Sequence, residues 1–144
     1  MAFEGMSQGH GGPFAALVVR QGEILGRGIN KVTSLRDPTA HAEVVAIREA
    51  CRRLDDFQLK GCDIYATSEP CPMCWGAIFW ARMSRVHFAS TTRDAAAAGF
   101  DDKLFYDELG KPCGQRMVPA FHVPLDSAKR LFEAWRQKPD RMDY

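Results

Sequence analysis

The chain has 144 residues, enough for a single domain with a proper hydrophobic core. Its 19 Lys and Arg residues nearly balance its 18 Asp and Glu residues, and the net charge of +1 offers no basic excess for a nucleic-acid partner. No apolar run approaches the ~20 residues that span a bilayer, and no secretory apolar segment is visible. We therefore expect a cytoplasmic protein that binds neither nucleic acid nor membrane.

The first third of the chain predicts a β-hairpin followed by a helix. Residues 15–19 and 24–29 are short apolar runs around a glycine-containing turn, a pattern typical of a hairpin. The segment Asp37-Pro38-Thr39 then predicts a helix start, with Pro38 in the first helical position and a flanking residue as the cap. Apolar residues at helical spacing extend this helix to about residue 54.

The middle of the chain predicts two strands with a helix between them. Residues 62–67 and 86–89 have the composition and alternation of strands. A helix opened by Pro72 is predicted to run to about residue 83, and residues 103–109 predict a short helix. Strands that alternate with helices indicate an α/β fold, with a sheet covered by helices.

The C-terminal part predicts one weak strand and one amphipathic helix. Residues 118–123 are a poor strand candidate, because Pro119 and Pro124 each lack a backbone donor for a sheet. Asp126 is the predicted cap of the last helix. The apolar side of that helix carries Leu131, Phe132 and Trp135.

Two short motifs predict a catalytic zinc site. One is His41-Ala42-Glu43, and the other is Pro70-Cys71-Pro72-Met73-Cys74. Together they match the H-x-E and P-C-x-x-C signature of zinc-dependent deaminases, with three ligands and one carboxylate that is not a ligand. Three protein ligands leave the fourth tetrahedral position to water, which distinguishes a catalytic zinc from a structural one. An odd number of cysteines, five, also favours metal binding in a reducing compartment.

The spacing of these residues places the metal beside two helix N-termini. His41 and Glu43 are two apart and do not share a helix face, but they converge on a metal that lies just beyond the helix start. Cys71 and Cys74 are three apart across a second helix start. Each helix dipole then stabilises an adjacent anion by about 0.3–1 kcal/mol. This favours the thiolate form of the two cysteines, whose pKa is otherwise about 8.5.

Glu43 is the predicted proton carrier. Zinc bound by two thiolates and a neutral imidazole is formally neutral, and therefore a weaker Lewis acid than zinc bound by three imidazoles. In the expected mechanism zinc lowers the pKa of water to about 7, and Glu43 moves the proton to a ring nitrogen while ammonia leaves. The alternatives are a structural zinc that recruits Cys62 as a fourth ligand, and a zinc-stabilised binding protein without catalysis.

Four motifs resemble the cytidine-deaminase-like fold, a three-layer α/β/α fold with a central mixed sheet covered by helices. They are Gly11-Gly12-Pro13-Phe14, residues 37–43, residues 69–74 and Trp80-Ala81-Arg82. Residues 94–102 and 138–144 are similar to those of small bacterial-type guanine deaminases. The resemblance implies a zinc enzyme that hydrolyses guanine, a small-molecule purine, to xanthine and ammonia.

The resemblance also implies roles for individual residues. One zinc per subunit would be held by His41, Cys71 and Cys74, with Glu43 as the principal proton carrier and Asp102 as a second one facing the amine. Asp101 remains an alternative to Asp102. The implied substrate-binding residues are Phe14, Asn30, Ala42, Trp80 and Tyr144.

The same resemblance implies a homodimer formed from a single domain, residues 1–144. Its C-terminal segment, about residues 125–144, would be swapped between subunits, and Tyr144 would close the neighbouring site. Only residues 1–8 precede the Gly-Gly-Pro-Phe motif, where the family carries a full helix, so we expect the chain to start inside that helix. The alternative substrates are a tRNA adenosine, which the even charge balance disfavours, and another nucleobase such as cytosine.

Overall fold

A computed structural model describes residues 1–143, and Tyr144 lies outside the described residues. The strands are β1 (Ala15–Arg20), β2 (Glu23–Ile29), β3 (Asp63–Ser68) and β4 (Arg85–Ser90). The helices are α1 (Ala2–Ser7), α2 (Val32–Leu35), α3 (Ala42–Leu54), α4 (Pro72–Trp80), α5 (Thr92–Ala97), α6 (Lys103–Gly110) and α7 (Asp126–Gln137), with a 3-10 turn at Cys113–Gln115. The chain divides into two compact units, residues 1–106 and the remainder.

The first unit is built on a mixed sheet with the strand order β2-β1-β3-β4. β1 pairs antiparallel with β2, as the hairpin pattern predicts, and antiparallel with β3. β3 and β4 are parallel, so the chain must cross over between them, and α4 is part of that connection. The predicted α/β class with a mixed sheet covered by helices is therefore confirmed.

Two glycines on β2 allow α3 to lie unusually close to the sheet. A Cβ atom on Gly28 would overlap the carbonyl oxygen of Ala42, and one on Gly26 would overlap that of Ala46. The two glycines are two residues apart in a strand, and so they lie on the same face. Small residues on β2 and α3 thus determine how closely the N-terminus of α3 approaches the sheet. This also sets the position of His41 and Glu43.

The predicted start of α3 is wrong by four residues. Pro38 does not begin the helix, because the Asp37 carboxylate accepts hydrogen bonds from the backbone N–H and the hydroxyl of Thr39, at 2.8 and 2.7 Å. This side-chain turn competes with helix formation. The helix begins at Ala42, and His41 is its N-cap with an extended backbone.

Three other predicted boundaries differ from the structure. α4 ends at Trp80 rather than near residue 83, since Arg82 adopts a left-handed backbone with φ 56°. In the described part of the chain, residues 118–123 form no strand, so the weak strand prediction is wrong; Pro119 within the segment and Pro124 after it lack the backbone donors of a sheet. Asp126 is the first residue of α7 rather than its cap, and its side chain makes no capping hydrogen bond.

The second unit, described over residues 107–143, carries an exposed amphipathic helix. Leu131 and Phe132 on α7 are 71% and 74% exposed. Glu108 accepts a hydrogen bond from the backbone N–H of Met117 at 2.6 Å, and Arg116 donates to the carbonyl of Leu109 at 3.2 Å. Across residues 1–143, no helix has the length and apolar character needed to cross a membrane.

Candidate metal and catalytic site

Three side chains of the first unit converge as a metal-binding group. The ligand atoms of His41, Cys71 and Cys74 all lie within 4.8 Å of one another. Each Sγ atom is 3.6 Å from His41 Nδ1, and the two sulfurs are 3.7 Å apart. For tetrahedral zinc with bonds of about 2.3 Å to sulfur and 2.0–2.1 Å to nitrogen, these edges should be about 3.8 and 3.6 Å. The arrangement therefore fits zinc without further movement.

The ligands are placed by the first turns of two helices. His41 is the N-cap of α3, Cys71 is the N-cap of α4, and Cys74 lies within the first turn of α4 after Pro72. Neither N-cap side chain makes a capping hydrogen bond, so both are free to face the metal position. Both helices thus present their positive ends to the two sulfurs, as the spacing predicts.

Hydrogen bonds at the site favour the thiolate form of Cys71. The hydrogen bond with Cys74, followed by that with His41, lowers the pKa of Cys71 to about 4. The same bond with Cys71, together with burial, raises the pKa of Cys74. The hydrogen bond to Cys71 also raises the pKa of His41. The three groups thus share protons that a bound cation would displace, as expected of a site whose metal binding releases protons.

Glu43 lies next to these ligands but is not one of them. It is the second residue of α3, its side chain is 8% exposed, and it lines the same cavity as His41 and Cys71. Burial raises the pKa of its carboxyl group above the usual value. A carboxylate in this condition is a better proton acceptor than an exposed one, and it is suited to general acid–base work near neutral pH.

The cavity at the metal position has a volume of about 250 Å³. This lies just below the range of about 300–1,000 Å³ typical of pockets for drug-sized ligands. Phe14 and Phe100 form one part of its wall, with ring centroids 4.8 Å apart in an edge-to-face arrangement. An aromatic wall with few polar groups suits a small, flat, heterocyclic ligand.

Asn30 presents a fixed amide to this cavity. Its Oδ1 atom accepts hydrogen bonds from the backbone N–H groups of Gly12 and Val32, at 3.3 and 3.2 Å. Because both donors require an oxygen, the orientation of the amide is determined. The NH₂ group therefore points away from these two donors, and Asn30 itself is only 7% exposed and lines the cavity.

The structure separates the adjacent pair Asp101 and Asp102. Asp102 lines the cavity, and burial raises the pKa of its carboxyl group, with a further contribution from the charge of Cys71. Asp101 is exposed and accepts a hydrogen bond from the backbone N–H of Lys103 at 3.2 Å, at the start of α6. Asp101 therefore stabilises the start of α6, whereas Asp102 lines the cavity.

Two of the predicted substrate-binding residues, Trp80 and Ala42, are not among the residues that line this cavity in the described part of the chain. Trp80 is 60% exposed at the end of α4, with the Arg82 guanidinium 5.7 Å from its ring centroid. Within residues 1–143 Trp80 does not line the cavity, and its contact with the base stays a prediction. Ala42 is buried under β2 at the start of α3 and does not line the cavity within residues 1–143. Tyr144 lies outside the described residues.

Sequence reasoning assigned no individual role to four residues around the site. Phe100 and Ser68 line the cavity, and Glu69 accepts a hydrogen bond from the backbone N–H of Thr92 at 3.1 Å. The hydroxyl of Tyr106 donates to the carbonyl of Pro70 at 3.0 Å, directly before Cys71. The partners of Phe100, Glu69 and Tyr106 are 20 or more residues away, so no local pattern could reveal these contacts. The available signals were that Phe100 lies in residues 94–102 and Glu69 in residues 69–74, two segments that resemble known deaminases.

A family model for the cytidine and deoxycytidylate deaminase zinc-binding region matches residues 1–90. The chain belongs to this family. The match includes the three metal ligands and Glu43, so the residues that converge in space are those of a zinc-binding deaminase. The zinc prediction is thereby confirmed.

Similar proteins in this deaminase family include enzymes for two kinds of substrate. Guanine deaminase from Bacillus subtilis (strain 168) is 48% identical over 144 residues, covering 100% of this chain and 92% of that protein. Its crystal structure matches 99% of this chain and 91% of its own, with a TM-score of 0.96. A tRNA-specific adenosine deaminase from Aquifex aeolicus (strain VF5) is 36% identical over 126 residues, covering 88% and 81% of the two chains.

Within the deaminase domain, the structural-zinc alternative is not supported. Cys62, directly before β3, is fully buried in the hydrophobic core, packed with residues such as Leu59 and Ile64. It does not belong to the metal-binding group found among the described residues. With three residues that could hold a metal and an acid outside that group, the site has the composition of a catalytic zinc centre.

Proposed function

We propose that this deaminase hydrolyses guanine to xanthine and ammonia. The observation that carries the proposal is that one cavity is lined by His41 and Cys71 of the zinc-binding group and by two carboxyl groups, those of Glu43 and Asp102. Asp102 lies in residues 94–102, the segment that most resembles guanine deaminases. The full-length similarity to the Bacillus subtilis enzyme supports the same substrate.

The chain supplies the proton transfers of this reaction. His41, Cys71 and Cys74 would hold a zinc ion, which would supply Lewis-acid activation of the attacking water. Glu43 takes a proton from that water and delivers it to a ring nitrogen of guanine, as carbon C2 gains its oxygen. The raised pKa of Glu43 matches this exchange, because the group must first accept and then release the proton.

Asp102 acts on the leaving group. Guanine carries its exocyclic amine on C2, and a carboxylate on the cavity wall can accept an N–H hydrogen bond from it. Burial raises the pKa of Asp102, so this group can also take the proton of the new hydroxyl group on C2 and deliver it to the amine, which leaves as ammonia. Loss of ammonia then leaves the carbonyl of xanthine, and water supplies the added oxygen.

The remaining wall positions the purine. The amide NH₂ of Asn30 donates to an acceptor atom of the base, since the amide oxygen already accepts hydrogen bonds from the backbone N–H groups of Gly12 and Val32. Phe14 contacts the ring face and is itself held by the edge-to-face contact with Phe100. This division between one aromatic face and a few fixed polar groups is usual for a purine site.

The substrate is tested by ammonia release from the zinc-loaded protein with free guanine, adenine, cytosine and a tRNA anticodon stem-loop. We expect release from guanine. The main alternative substrate is a tRNA adenosine, because tRNA-specific adenosine deaminases are also similar to this chain. Release from the stem-loop with none from guanine would overturn the proposal, and release only from cytosine would replace it with a pyrimidine activity.

Replacing Asp102 by Asn should lower kcat with guanine by about 10²- to 10⁴-fold, the usual contribution of a general acid or base. The substitution keeps the size of the side chain but removes its ability to carry a proton. The matched control is Asp101→Asn, which changes the same charge one residue away and affects only the start of α6. Steady-state kinetics should show a near-normal kcat for the control. An equal loss in both variants would contradict the assignment of Asp102.

We also propose that the chain forms a homodimer in which residues from about 125 to 144 exchange between subunits. The exposed apolar residues on α7 support this, because such a helix face is normally covered by another surface. A variant that lacks the last residues, mixed with a Glu43→Gln variant, should recover activity in mixed dimers. Mixed dimers without recovered activity would place the C-terminus at the site of its own chain.

A cytoplasmic location is part of the proposal. The site needs two cysteine sulfurs in the reduced state to bind zinc, and all five cysteines are free thiols in the described structure. Cytosolic reductants maintain that state. A fluorescent fusion followed by cell fractionation would test the location, and recovery outside the cytoplasm would contradict it.

A further inference from the structure

The hydroxyl of Tyr106 connects two parts of the site that come from different segments of the chain. It donates a hydrogen bond to the backbone carbonyl of Pro70 at 3.0 Å. Pro70 is fully buried and directly precedes Cys71, the zinc-binding residue that is the N-cap of α4. The hydrogen bond therefore attaches Tyr106 to a buried point of the backbone beside the metal position.

The backbone of Tyr106 is bonded to Asp102. Asp102 directly precedes α6, and its carbonyl oxygen accepts hydrogen bonds from the backbone N–H groups of Phe105 and Tyr106, at 3.1 and 3.4 Å. One helical turn thus separates the carboxyl group that lines the cavity from the hydroxyl that is bonded to Pro70. Because a helical turn has a fixed geometry, the position of Tyr106 determines the position of Asp102.

The Tyr106 hydroxyl acts as a neutral donor outside the cavity wall. Burial raises its pKa, and the charges of Glu69, Cys71 and Asp102 raise it further, so the hydroxyl keeps its proton near neutral pH. Those three residues line the zinc cavity, whereas Tyr106 is not among the lining residues within residues 1–143. Tyr106 therefore affects the cavity through the residues that it holds.

We propose that Tyr106 is a positioning residue, whose hydrogen bond to Pro70 holds Asp102 at a fixed distance from the zinc-binding group. This inference rests on the proposed function, in which Asp102 acts on the amine while Glu43 acts on the attacking water. The two carboxyl groups must then be held precisely around one carbon atom of the base. Asp102 comes from a segment that is distant in sequence from Cys71, and Tyr106 links the two.

The test is a double-mutant cycle between Tyr106→Phe and Asp102→Asn in the zinc-loaded protein. Tyr106→Phe removes a single oxygen atom and should lower kcat with guanine about two- to tenfold, the effect of losing one neutral hydrogen bond. In the Asp102→Asn protein the same substitution should cause no further loss, because the side chain that Tyr106 positions can no longer carry a proton. Zinc content should remain one per subunit in each variant.

Tyr65→Phe is the matched control for the loss of a tyrosine hydroxyl. Tyr65 lies on β3, its ring is stacked on that of His87 with the centroids 4.5 Å apart, and it is not among the cavity-lining residues of the described chain. This control should keep a normal kcat. Incorporation of 4-aminophenylalanine in place of Tyr106, which keeps an N–H donor at the same place, should restore most of the kcat that Tyr106→Phe loses.

Guanine binding provides a readout that does not depend on turnover. Guanine should raise the Tm of the Glu43→Gln protein more than that of the Tyr106→Phe, Glu43→Gln double variant, because a displaced Asp102 no longer meets the amine. The Tyr65→Phe, Glu43→Gln double variant should respond to guanine as Glu43→Gln does.

The outcomes separate this inference from the proposed function. If the wild-type protein deaminates guanine, a Tyr106→Phe variant with normal kcat, or with the same loss in the presence and absence of Asp102, would overturn the inference alone. Loss of folding or of zinc in Tyr106→Phe would also overturn it, by assigning the hydroxyl to stability or to the metal ligands. If the wild-type protein deaminates another base instead, the proposed function fails and the same cycle with that base decides the inference. A wild-type protein that deaminates none of the bases would overturn both.

Discussion

Replacement of Glu43 by Gln is expected to lower kcat with guanine by about 10²- to 10⁴-fold while the protein keeps its zinc. The side chain is buried beside the ligands, yet the zinc-binding group consists of His41, Cys71 and Cys74. Glutamine keeps the shape of the side chain but can neither accept nor deliver a proton. Ammonia release and metal analysis on the same sample would measure the two effects separately.

The matched control for this experiment is Glu49→Gln. Glu49 lies on the same helix, α3, but lines a different cavity, away from the zinc-binding group. The control should retain its activity, so a general effect of neutralising an acidic residue on α3 can be recognised. Normal turnover in Glu43→Gln would remove Glu43 from the mechanism, whereas a loss of zinc would instead make it a ligand.

Replacement of Cys74 by Ala is expected to abolish stable zinc binding and, with it, deamination. Cys74 is fully buried in the first turn of α4, and its sulfur is one of three protein ligands. Metal bound to the native state stabilises it by mass action, by about 2.7 kcal/mol when free zinc is a hundred times its dissociation constant. We therefore expect that zinc raises the Tm of the wild-type protein and has no such effect on the variant.

Cys62→Ala provides the comparison that isolates the metal contribution. Cys62 is as fully buried as Cys74, but it packs in the hydrophobic core among residues such as Ile64. The loss of its sulfur should lower stability through packing alone, while one zinc per subunit and the activity remain. If zinc were retained after Cys74→Ala and lost after Cys62→Ala, the ligand set would be wrong.

The fold was predictable where local pattern and tertiary packing agree. The hairpin of β1 and β2, the strand β3 and the helix after Pro72 follow from alternation, turn residues and the position of proline. The predictions fail at the boundaries, where side-chain hydrogen bonds compete with helix formation. Asp37 shows this directly, because its bonds to Thr39 delay α3 until Ala42.

The zinc ligands were predictable because the relevant constraints are short in sequence. Cys71 and Cys74 are separated by a single helical turn, and His41 and Glu43 lie on either side of a helix start. The distances between the ligand atoms then agree with zinc chemistry. The cavity wall is different, because Asn30 and Asp102 come from distant parts of the chain.

By itself, the sequence determined the chemistry of this protein: an imidazole, two thiolates and an acid at spacings that only a few zinc sites use. The tertiary structure decided which of Asp101 and Asp102 faces the cavity and added Phe100 to its wall. The physical reason is that side-chain direction depends on the packing of remote elements. Spacing along the chain predicts which residues lie close together within one helical turn. Which other residues line the cavity depends on how the sheet and the helices pack.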